Sequence, residues 1–242
     1  MCIIAIQPTG TKIKESILRN CWESNNDGAG IMYVDNGKII VKRELHNFSE
    51  FMRIKKQADK TGGNIILHFR IATSGGINEK NLHPFKINES VYFCHNGILD
   101  IDVPLNSPIN DTQIFNNYYM KGLPYDFYKN TTIMQLLEYS IGERNKFVFL
   151  DNTGEFYILN EGAGTWDEGA WYSNLSYKKY NTTDMISKSK YVPYSNWDEG
   201  DDLCTCESCD EIVNIEEIEY DEYFDIMICQ KCKESLLEYS VK

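Results

Sequence analysis

The chain opens with MCIIAIQ, residues 1–7, in which an apolar run directly follows a cysteine. Such a run predicts a buried strand that begins almost at the N-terminus. If Met1 is removed, which the small side chain of Cys2 permits, Cys2 carries both a thiol and a free α-amine. The unperturbed pKa of a thiol is about 8.5 and that of an α-amine about 7.7–8.0, so the amine can serve as the base of the thiol. The stretch therefore predicts a strand that presents a nucleophile, and retention of Met1 would remove its base.

Further strands and helices are predicted outward from this run by the spacing of apolar side chains. A hairpin is predicted around Asp35-Asn36-Gly37, because Asn-Gly tolerates the positive φ of a tight turn. The predicted strands are 3–6, 31–34, 39–41, 64–70, 91–94, 147–150 and 156–159, and the predicted helices are 11–21, 48–60, 111–120 and 131–141. Strands, then helices, then strands indicate an α+β domain.

Four short motifs place polar residues at the ends of these elements. DGAGI (27–31) leads into the first hairpin, and HFRIATSGG (68–76) runs from a strand into a glycine-rich turn. CHNGIL (94–99) follows another strand. NDTQIF (110–115) opens a helix, with Asp111 as its N-cap or as a first-turn acid.

Taken in order with Met-Cys at the start, NLHPF (81–85) and WYSNLSY (171–177), these motifs resemble the class II glutamine amidotransferase domain of the Ntn-hydrolase superfamily. The resemblance covers about residues 1–180. It implies a four-layer αββα sandwich. The arginine motif departs from the family pattern, because Ile71 and Ser74 stand where a tryptophan and a histidine are common.

The resemblance implies three catalytic residues. Cys2 would attack the side-chain amide of glutamine to form a γ-glutamyl thioester, with its α-amine carrying the proton to the leaving ammonia. Asn96 and Gly97 would form the oxyanion hole through a side-chain amide N–H and a backbone N–H. The loss of one such donor typically costs about 10²–10³ in rate.

The resemblance also implies three substrate-binding residues. Arg70, with Thr73 beside it, would bind the α-carboxylate of glutamine through charge-assisted hydrogen bonds. Asp111 would bind the α-ammonium. Opposite charges at two points suit a zwitterionic amino acid.

Each of these residue types also has a structural interpretation. Arg70 could pair with a surface acid, Asp111 could be only a helix cap, and Asn96-Gly97 is also a common turn dipeptide. Because the chemistry already has an amine base, the histidines are expected to be scaffold rather than catalytic bases. The residues expected to be scaffold or buried are His68, His83, His95, Cys21 and Cys94.

The last 45 residues differ from the rest in charge. Residues 198–242 hold 15 acidic and 3 basic side chains, whereas residues 1–197 hold 21 of each. The stretch 187–202 is polar and ends in acids, so it is predicted to be a linker. We therefore predict two domains, an amidotransferase-like domain over 1–195 and an acidic module over 196–242.

The acidic module carries a metal-binding pattern. Cys206-x2-Cys209, then nineteen residues, then Cys229-x2-Cys232 matches a structural zinc ribbon, in which two turns supply four thiolates to one Zn²⁺. Cys204 is a fifth candidate that could replace Cys206. A redox-sensitive or disulfide-bearing tail is the alternative, and a cytoplasmic location argues against it.

The charge of the module also bears on its partners. Direct nucleic-acid binding is disfavoured, because affinity for phosphates depends on Lys and Arg. A docking surface for a basic protein and a merely solvated acidic face both remain open. No run reaches the roughly 18–20 apolar residues of a membrane span, and the N-terminus has no basic start typical of a secretory signal. We expect a soluble, cytoplasmic protein.

Together these features predict an enzyme that hydrolyses glutamine to glutamate and ammonia through a cysteinyl thioester. The chain has no P-loop or Rossmann fingerprint, so the ammonia would pass to a separate acceptor synthetase. Two alternatives stay open. One is an N-terminal-cysteine amidohydrolase that acts on another amide, and the other is a non-catalytic protein in which the acidic zinc ribbon is the functional part.

Overall fold

The chain divides into two units, Met1–Lys179 and Tyr180–Lys242. The structure is a computed structural model, and it describes residues 2–71, 78–104, 107–178, 203–206, 212–221, 226–231 and 233. The predicted linker and the predicted domain boundary at 195/196 lie outside the described residues.

The first unit contains two antiparallel sheets and four α-helices in its described part. Its strands are β1 Ile3–Gln7, β2 Ala29–Asp35, β3 Lys38–Glu44, β4 Ile65–Phe69, β5 Phe85–Asn88, β6 Val91–Asn96, β7 Lys146–Asp151, β8 Phe156–Leu159, β9 Thr165–Asp167 and β10 Ala170–Tyr172. Its α-helices are α1 Glu15–Ser24, α2 Phe48–Asp59, α3 Asp111–Tyr118 and α4 Thr131–Ile141.

Strand order in the sheets brings the start of the chain to the centre. The six-stranded sheet runs β3-β2-β4-β1-β10-β9, and the four-stranded sheet runs β5-β6-β7-β8. β1 pairs antiparallel with β4, where Ile3 faces Phe69, and with β10, where Ala5 faces Tyr172. The apolar run that follows Cys2 is thus a fully buried central strand, as its composition predicts.

Three clusters of buried side chains define four layers. One cluster packs α1 and α2 against one face of the six-stranded sheet, with Leu18 and Phe51 in it. A second packs the two sheets face to face, with Ile4 of β1 and Val148 of β7 in it. A third packs the four-stranded sheet against α3 and α4. The α+β class and the antiparallel sheets are confirmed, and the layers follow the order helices, sheet, sheet, helices.

Asparagine side chains fix the starts of three helices. Asn47, Asn110 and Asn130 each accept a hydrogen bond from the backbone N–H three residues later. Such a cap satisfies one of the N–H groups that a helix start leaves without an intrahelical partner. The cap of α3 is therefore Asn110, and the alternative that Asp111 is the N-cap is wrong. Asp111 is the first helical residue.

The described part of the second unit forms two short hairpins. β11 Leu203–Thr205 pairs with β12 Ile212–Asn214, and β13 Ile218–Asp221 pairs with β14 Ile226–Cys229. Its buried cluster consists of Cys206, Ile218, Ile228 and Cys229, with Val213 packed against it. Within the described residues of both units, no helix is long and apolar enough to cross a membrane.

Candidate active site

Cys2 lies at the start of the central strand, next to the segment that leaves β4. Its side chain is half-buried, and its Sγ donates to the backbone O of Ile71 at 3.4 Å. The backbone O of Cys2 accepts from Asn174 Nδ2 at 2.7 Å, which ties the residue to the segment after β10. Burial raises the pKa of the Cys2 thiol, while the bond to Ile71 and the charge of Arg70 act to lower it. Because its pKa is raised, the thiol needs a base to form a thiolate.

Arg70 follows β4 and lies beside Cys2, because Phe69 pairs with Ile3 in the sheet register. Its backbone N donates to Gly28 O at 2.8 Å, and its backbone O accepts from Asp27 N at 3.0 Å. The DGAGI motif thus holds the arginine backbone in place. Burial lowers the pKa of Arg70, against the opposite effect of the Cys2, Asp27 and Asp111 charges. Arg70 is buried, with 3% of the residue exposed.

Asp111 lies in the first turn of α3 and lines the same pocket as Cys2 and Arg70. Its Oδ2 accepts from the backbone N of Leu99 at 3.0 Å. It therefore ties the turn after β6 to the start of the helix. Asp111 and Arg70 line one pocket. That pocket is lined by Cys2, Arg70, Ile71, His83, His95, Gly97, Asn110, Asp111 and Thr112.

Asn96 and Gly97 form the turn at the end of β6. Gly97 lines the pocket and has a φ of +146°, and a Cβ there would lie 2.1 Å from Asn145 Oδ1. Only glycine fits such a close approach. Asn96 is buried, and its Nδ2 donates to Ser173 Oγ at 2.8 Å, while its Oδ1 has no hydrogen-bond partner in the described structure. The structure thus brings Gly97 to the pocket lining, which does not include Asn96.

The three predicted scaffold histidines are all buried, and burial lowers the pKa of each, to about 3 for His68. His68 Nε2 bonds His95 O at 3.1 Å, and the ring of His95 bonds Thr112 Oγ1 at 2.7 Å and Asn145 Oδ1 at 2.8 Å. His68 and His95 are therefore held by neighbouring residues, as expected of scaffold residues. His83 differs, because it lines the pocket with neither ring nitrogen bonded to any described residue.

Three other predicted site residues cannot be placed, and several contributors were not predicted. Thr73, Cys209 and Cys232 lie outside the described residues. Thr112 and Ser173 stand inside quoted motifs, so their contribution had a signal in the sequence. Asn145 lies between α4 and β7 in no motif, and no pattern in the sequence marks it.

The remaining cysteines of the first unit are unsuited to nucleophilic attack. Cys21 and Cys94 are fully buried, as predicted. Burial raises the pKa of both thiols, to about 12 for Cys21. Among the cysteines described in this unit, Cys2 alone lines the pocket.

In the second unit, two of the predicted metal ligands meet. Cys206 and Cys229 are both buried, and the backbone N of Cys229 donates to Cys206 Sγ at 3.2 Å. They come from different hairpins, β11–β12 and β13–β14. Within the described residues, no group of three potential ligands is close enough to hold a metal ion.

Sequence comparison links part of the chain to known proteins, although no family model matches it. The chain is 35% identical over 89 residues to a glutamine–fructose-6-phosphate aminotransferase of Pectobacterium atrosepticum, which is 36% of this chain and 14% of the relative. It is 27% identical over 156 residues to a Haemophilus influenzae protein described as "Putative glutamine amidotransferase", which is 57% of this chain and 53% of the relative. The chain thus spans about one seventh of the length of the aminotransferase.

Solved structures similar to this chain include the following two. The "allosteric regulatory enzyme of purine biosynthesis" has a TM-score of 0.41 at 20% identity, over 71% of this chain and 41% of the other. The glutamine phosphoribosylpyrophosphate amidotransferase of B. subtilis has a TM-score of 0.36 at 17% identity, over the same shares. In the stretch matched by sequence, this chain is related to glutamine amidotransferases, which supports the class II glutamine amidotransferase domain expected from its motifs.

Proposed function

We propose that the first unit hydrolyses glutamine to glutamate and ammonia, with Cys2 as the nucleophile. The observation that carries the proposal is a single pocket in which Cys2 lies with a buried arginine and a helix-start aspartate. Arg70 would bind the α-carboxylate of glutamine and Asp111 its α-ammonium. An amino acid held at both ends presents its side-chain amide in one orientation, which lowers the entropic part of the barrier.

The proposed chemistry begins with removal of Met1, which frees the α-amine of Cys2. This amine takes the thiol proton, a step that matters because burial raises the pKa of the thiol. The sulfur attacks the amide carbon, the C–N bond breaks, and ammonia leaves with the proton from the α-ammonium. Water then adds to the thioester, releasing glutamate and restoring the thiol.

Gly97 and Asn96 are proposed to stabilise the oxyanion of both tetrahedral intermediates. Gly97 would donate its backbone N–H. Asn96 would donate its amide N–H after a half-turn of the amide, which exchanges its oxygen and nitrogen. The Ser173 hydroxyl could then donate to the oxygen, and the nitrogen would occupy the position that now has no partner.

The proposal is tested by intact mass after incubation with 6-diazo-5-oxo-norleucine, a glutamine mimic that alkylates such cysteines. We expect loss of Met1 and one adduct on Cys2, blocked by excess glutamine and absent from Cys2→Ser. Retained Met1 with no adduct would overturn the proposal and direct attention to the acidic module.

Arg70→Ala separates glutamine hydrolysis from hydrolysis of an unrelated amide. If Arg70 binds the α-carboxylate, this change should raise KM for glutamine about 10–100-fold, the range of a charge-assisted hydrogen bond. Arg53→Ala is the matched control, since Arg53 pairs with Glu50 on the exposed face of α2. Unchanged KM in Arg70→Ala would favour an amidohydrolase with another substrate.

We further propose that the ammonia is used by a separate acceptor synthetase. The relatives named above are aminotransferases and amidotransferases, which use glutamine nitrogen on an acceptor. The charge of residues 198–242, 15 acids against 3 bases, suits a basic docking surface on such a partner. Co-purification that is lost at high salt, and that needs residues 198–242, would support this partner.

For the second unit we propose a structural Zn²⁺ held by Cys206, Cys209, Cys229 and Cys232. The described pair fits a thiolate site, because a backbone N–H directed at a sulfur stabilises its charged form. The pair is also buried, as the ligands of a closed structural site are. Bound Zn²⁺ would cross-link the two hairpins and supply no chemistry to glutamine hydrolysis.

Metal content by mass spectrometry tests this site. We expect one Zn²⁺ per chain, lost in Cys229→Ser and retained in Cys21→Ser, in which the altered thiol lies in the first unit. A parallel Cys204→Ser variant asks whether Cys204 replaces Cys206. A chain that is metal-free as purified and does not take up Zn²⁺ would overturn the proposal.

A further inference from the structure

His83 is the buried residue of the pocket whose hydrogen bonds are incomplete. Its side chain is 4% exposed, and neither Nδ1 nor Nε2 has a hydrogen-bond partner in the described structure. It lines the same pocket as Cys2, Arg70 and Asp111. Buried polar atoms are nearly always satisfied in native proteins, so two orphans on one ring call for an explanation.

The position of the ring is set on several sides. The ring centroid of His83 lies 4.1 Å from that of His68 and 4.4 Å from that of Phe85. The backbone is equally confined, since a Cβ at Gly30 of β2 would lie 1.8 Å from His83 O. The imidazole is therefore held in one position in a residue that lines the pocket, which lowers the entropic cost of using it to bind a ligand.

The ring is uncharged. Burial lowers the pKa of His83 well below its usual value, and the neighbouring His68, His95, Arg70 and Arg43 groups lower it further. A neutral imidazole offers one N–H donor and one lone pair. It can therefore bind a polar group without competing for the charges of Arg70 and Asp111.

We propose that His83 is a substrate-binding residue, whose ring nitrogens gain hydrogen bonds only when the amino-acid substrate occupies the pocket. This inference rests on the proposed function, since the ligand it names is glutamine. It assigns His83 a role different from the scaffold role of His68 and His95, whose rings are bonded to neighbouring residues.

A substrate-binding role and a scaffold role can be told apart with His83→Phe, which keeps an aromatic ring and removes both ring nitrogens. In either role the ligand-free protein should unfold at the same or a higher temperature, because unsatisfied buried atoms are removed. Only a binding role predicts a weaker substrate interaction. We expect KM for glutamine to rise about 10-fold, with a smaller change in kcat, and the glutamine-induced rise in Tm to shrink.

His83→Gln and His46→Phe are the matched variants. Glutamine restores a donor and an acceptor and should recover part of the lost affinity. His46 is exposed and outside the pocket, so His46→Phe should leave KM and Tm unchanged. Wild-type KM in His83→Phe would overturn the inference while leaving glutamine hydrolysis intact.

A measurement on the unaltered ring covers the case in which His83→Phe fails to fold. In ¹⁵N-histidine-labelled Cys2→Ser protein, saturating glutamine should shift the His83 ring nitrogen resonances more than those of His68 and His46. If glutamine binds and the His83 signals stay unchanged, the inference is wrong. If the wild-type protein neither binds nor hydrolyses glutamine, the proposed function and the inference fail together.

Discussion

The two units differ in the apolar core that each one buries. The described core of the first unit comprises three large clusters of buried side chains, rich in isoleucine and phenylalanine, across four layers. The described cluster of the second unit contains Cys206, Ile218, Ile228 and Cys229. Apolar burial stabilises a domain of about 180 residues, whereas a unit of about 60 residues usually needs a cross-link. That both hairpins contribute a buried cysteine shows where such a cross-link would lie.

The chain also differs in charge before and after residue 198. Residues 1–197 are neutral overall, and the charges that matter most there, Arg70 and Asp111, stand at the pocket. Residues 198–242 carry a net charge of −12, from 15 acids and 3 bases. The net charge of the chain is therefore concentrated in residues 198–242.

The largest expected effect is on the second unit. Removing metal with a chelator should unfold it, because structural Zn²⁺ contributes an apparent binding energy of about 10–16 kcal/mol. Hydrogen exchange should become fast in β11–β14 and stay slow in β1, β4 and β7, as measured by mass spectrometry. If β11–β14 were equally protected from exchange with and without chelator, the proposed Zn²⁺ cross-link would be contradicted.

The next effect concerns the nucleophile. Cys2→Ala should reduce glutamine hydrolysis by about 10⁴-fold or more, because the covalent route is lost. The Tm of the first unit should change little, since the Cys2 side chain is only half-buried. Cys229→Ser is the reciprocal control, expected to keep glutaminase activity while disrupting the second unit. Activity that follows Cys229 instead of Cys2 would reverse the assignment of the two units.

A smaller effect tests the turn after β6. Gly97→Ala places a Cβ 2.1 Å from Asn145 Oδ1, so the turn must shift and the backbone N–H moves with it. We expect a 10²–10³-fold loss of kcat, about the cost of one oxyanion donor. Gly122→Ala is the control, because a Cβ there meets nothing within 4 Å. Steady-state kinetics with glutamine decide the outcome, and equal kcat in the two variants would contradict it.

The smallest effect is a pH dependence of the first unit. Burial raises the pKa of Asp59, but the hydrogen bonds from Lys55 and Gln7 and the Lys55 charge outweigh it, so the pKa lies below its usual value. A lowered carboxyl pKa stabilises the fold above the unfolded value of about 3.9, and this stabilisation is lost as pH falls through the folded value.

Asp59→Asn tests this sign. It should remove that part of the acid sensitivity and cost about 2–3 kcal/mol at neutral pH, because Lys55 is left buried without its carboxylate. Urea denaturation between pH 6 and pH 2 measures both. Parallel stability curves for wild type and variant would contradict the assigned pKa direction.

Elements with a strong internal period were predictable from the sequence, and elements defined by their partners were not. α4 lies at Thr131–Ile141, as predicted, and the hairpin at Asn36-Gly37 is where the turn residues indicate. β5, β9 and β10 were not predicted, because strands of three or four residues carry too few positions to show alternation. They are defined by pairing, β5 with β6, β10 with β1 and β9 with β10.

The start of α1 was predicted too early for a related reason. The predicted helix begins at residue 11, whereas α1 begins at Glu15. The side chain of Gln7 accepts from the backbone N of Ile13 at 3.0 Å, which holds the approach to the helix outside helical geometry. The spacing of apolar residues carries no information about such a side-chain hydrogen bond.

The candidate site was predictable where its residues lie in sequence motifs, and not where it depends on contacts between distant residues. Cys2, Arg70, Gly97 and Asp111 sit in motifs, and the structure brings all four to one pocket. The missing hydrogen bonds of the His83 ring could not be predicted, because they depend on which residues lie beside the ring in space. The order of residues in the chain does not give these neighbours.

The pairing of β1 with β10 has a consequence for the order in which the molecule is made. Cys2 is synthesised long before the residues that complete its surroundings, because β1 gains its second neighbouring strand only from residues 170–172 and the backbone O of Cys2 gains its hydrogen bond from Asn174. At about 5–20 residues per second, that delay is roughly 10–35 s. Until then β1 has a single neighbouring strand, β4, so the position of Cys2 is fixed only when the sheet is complete.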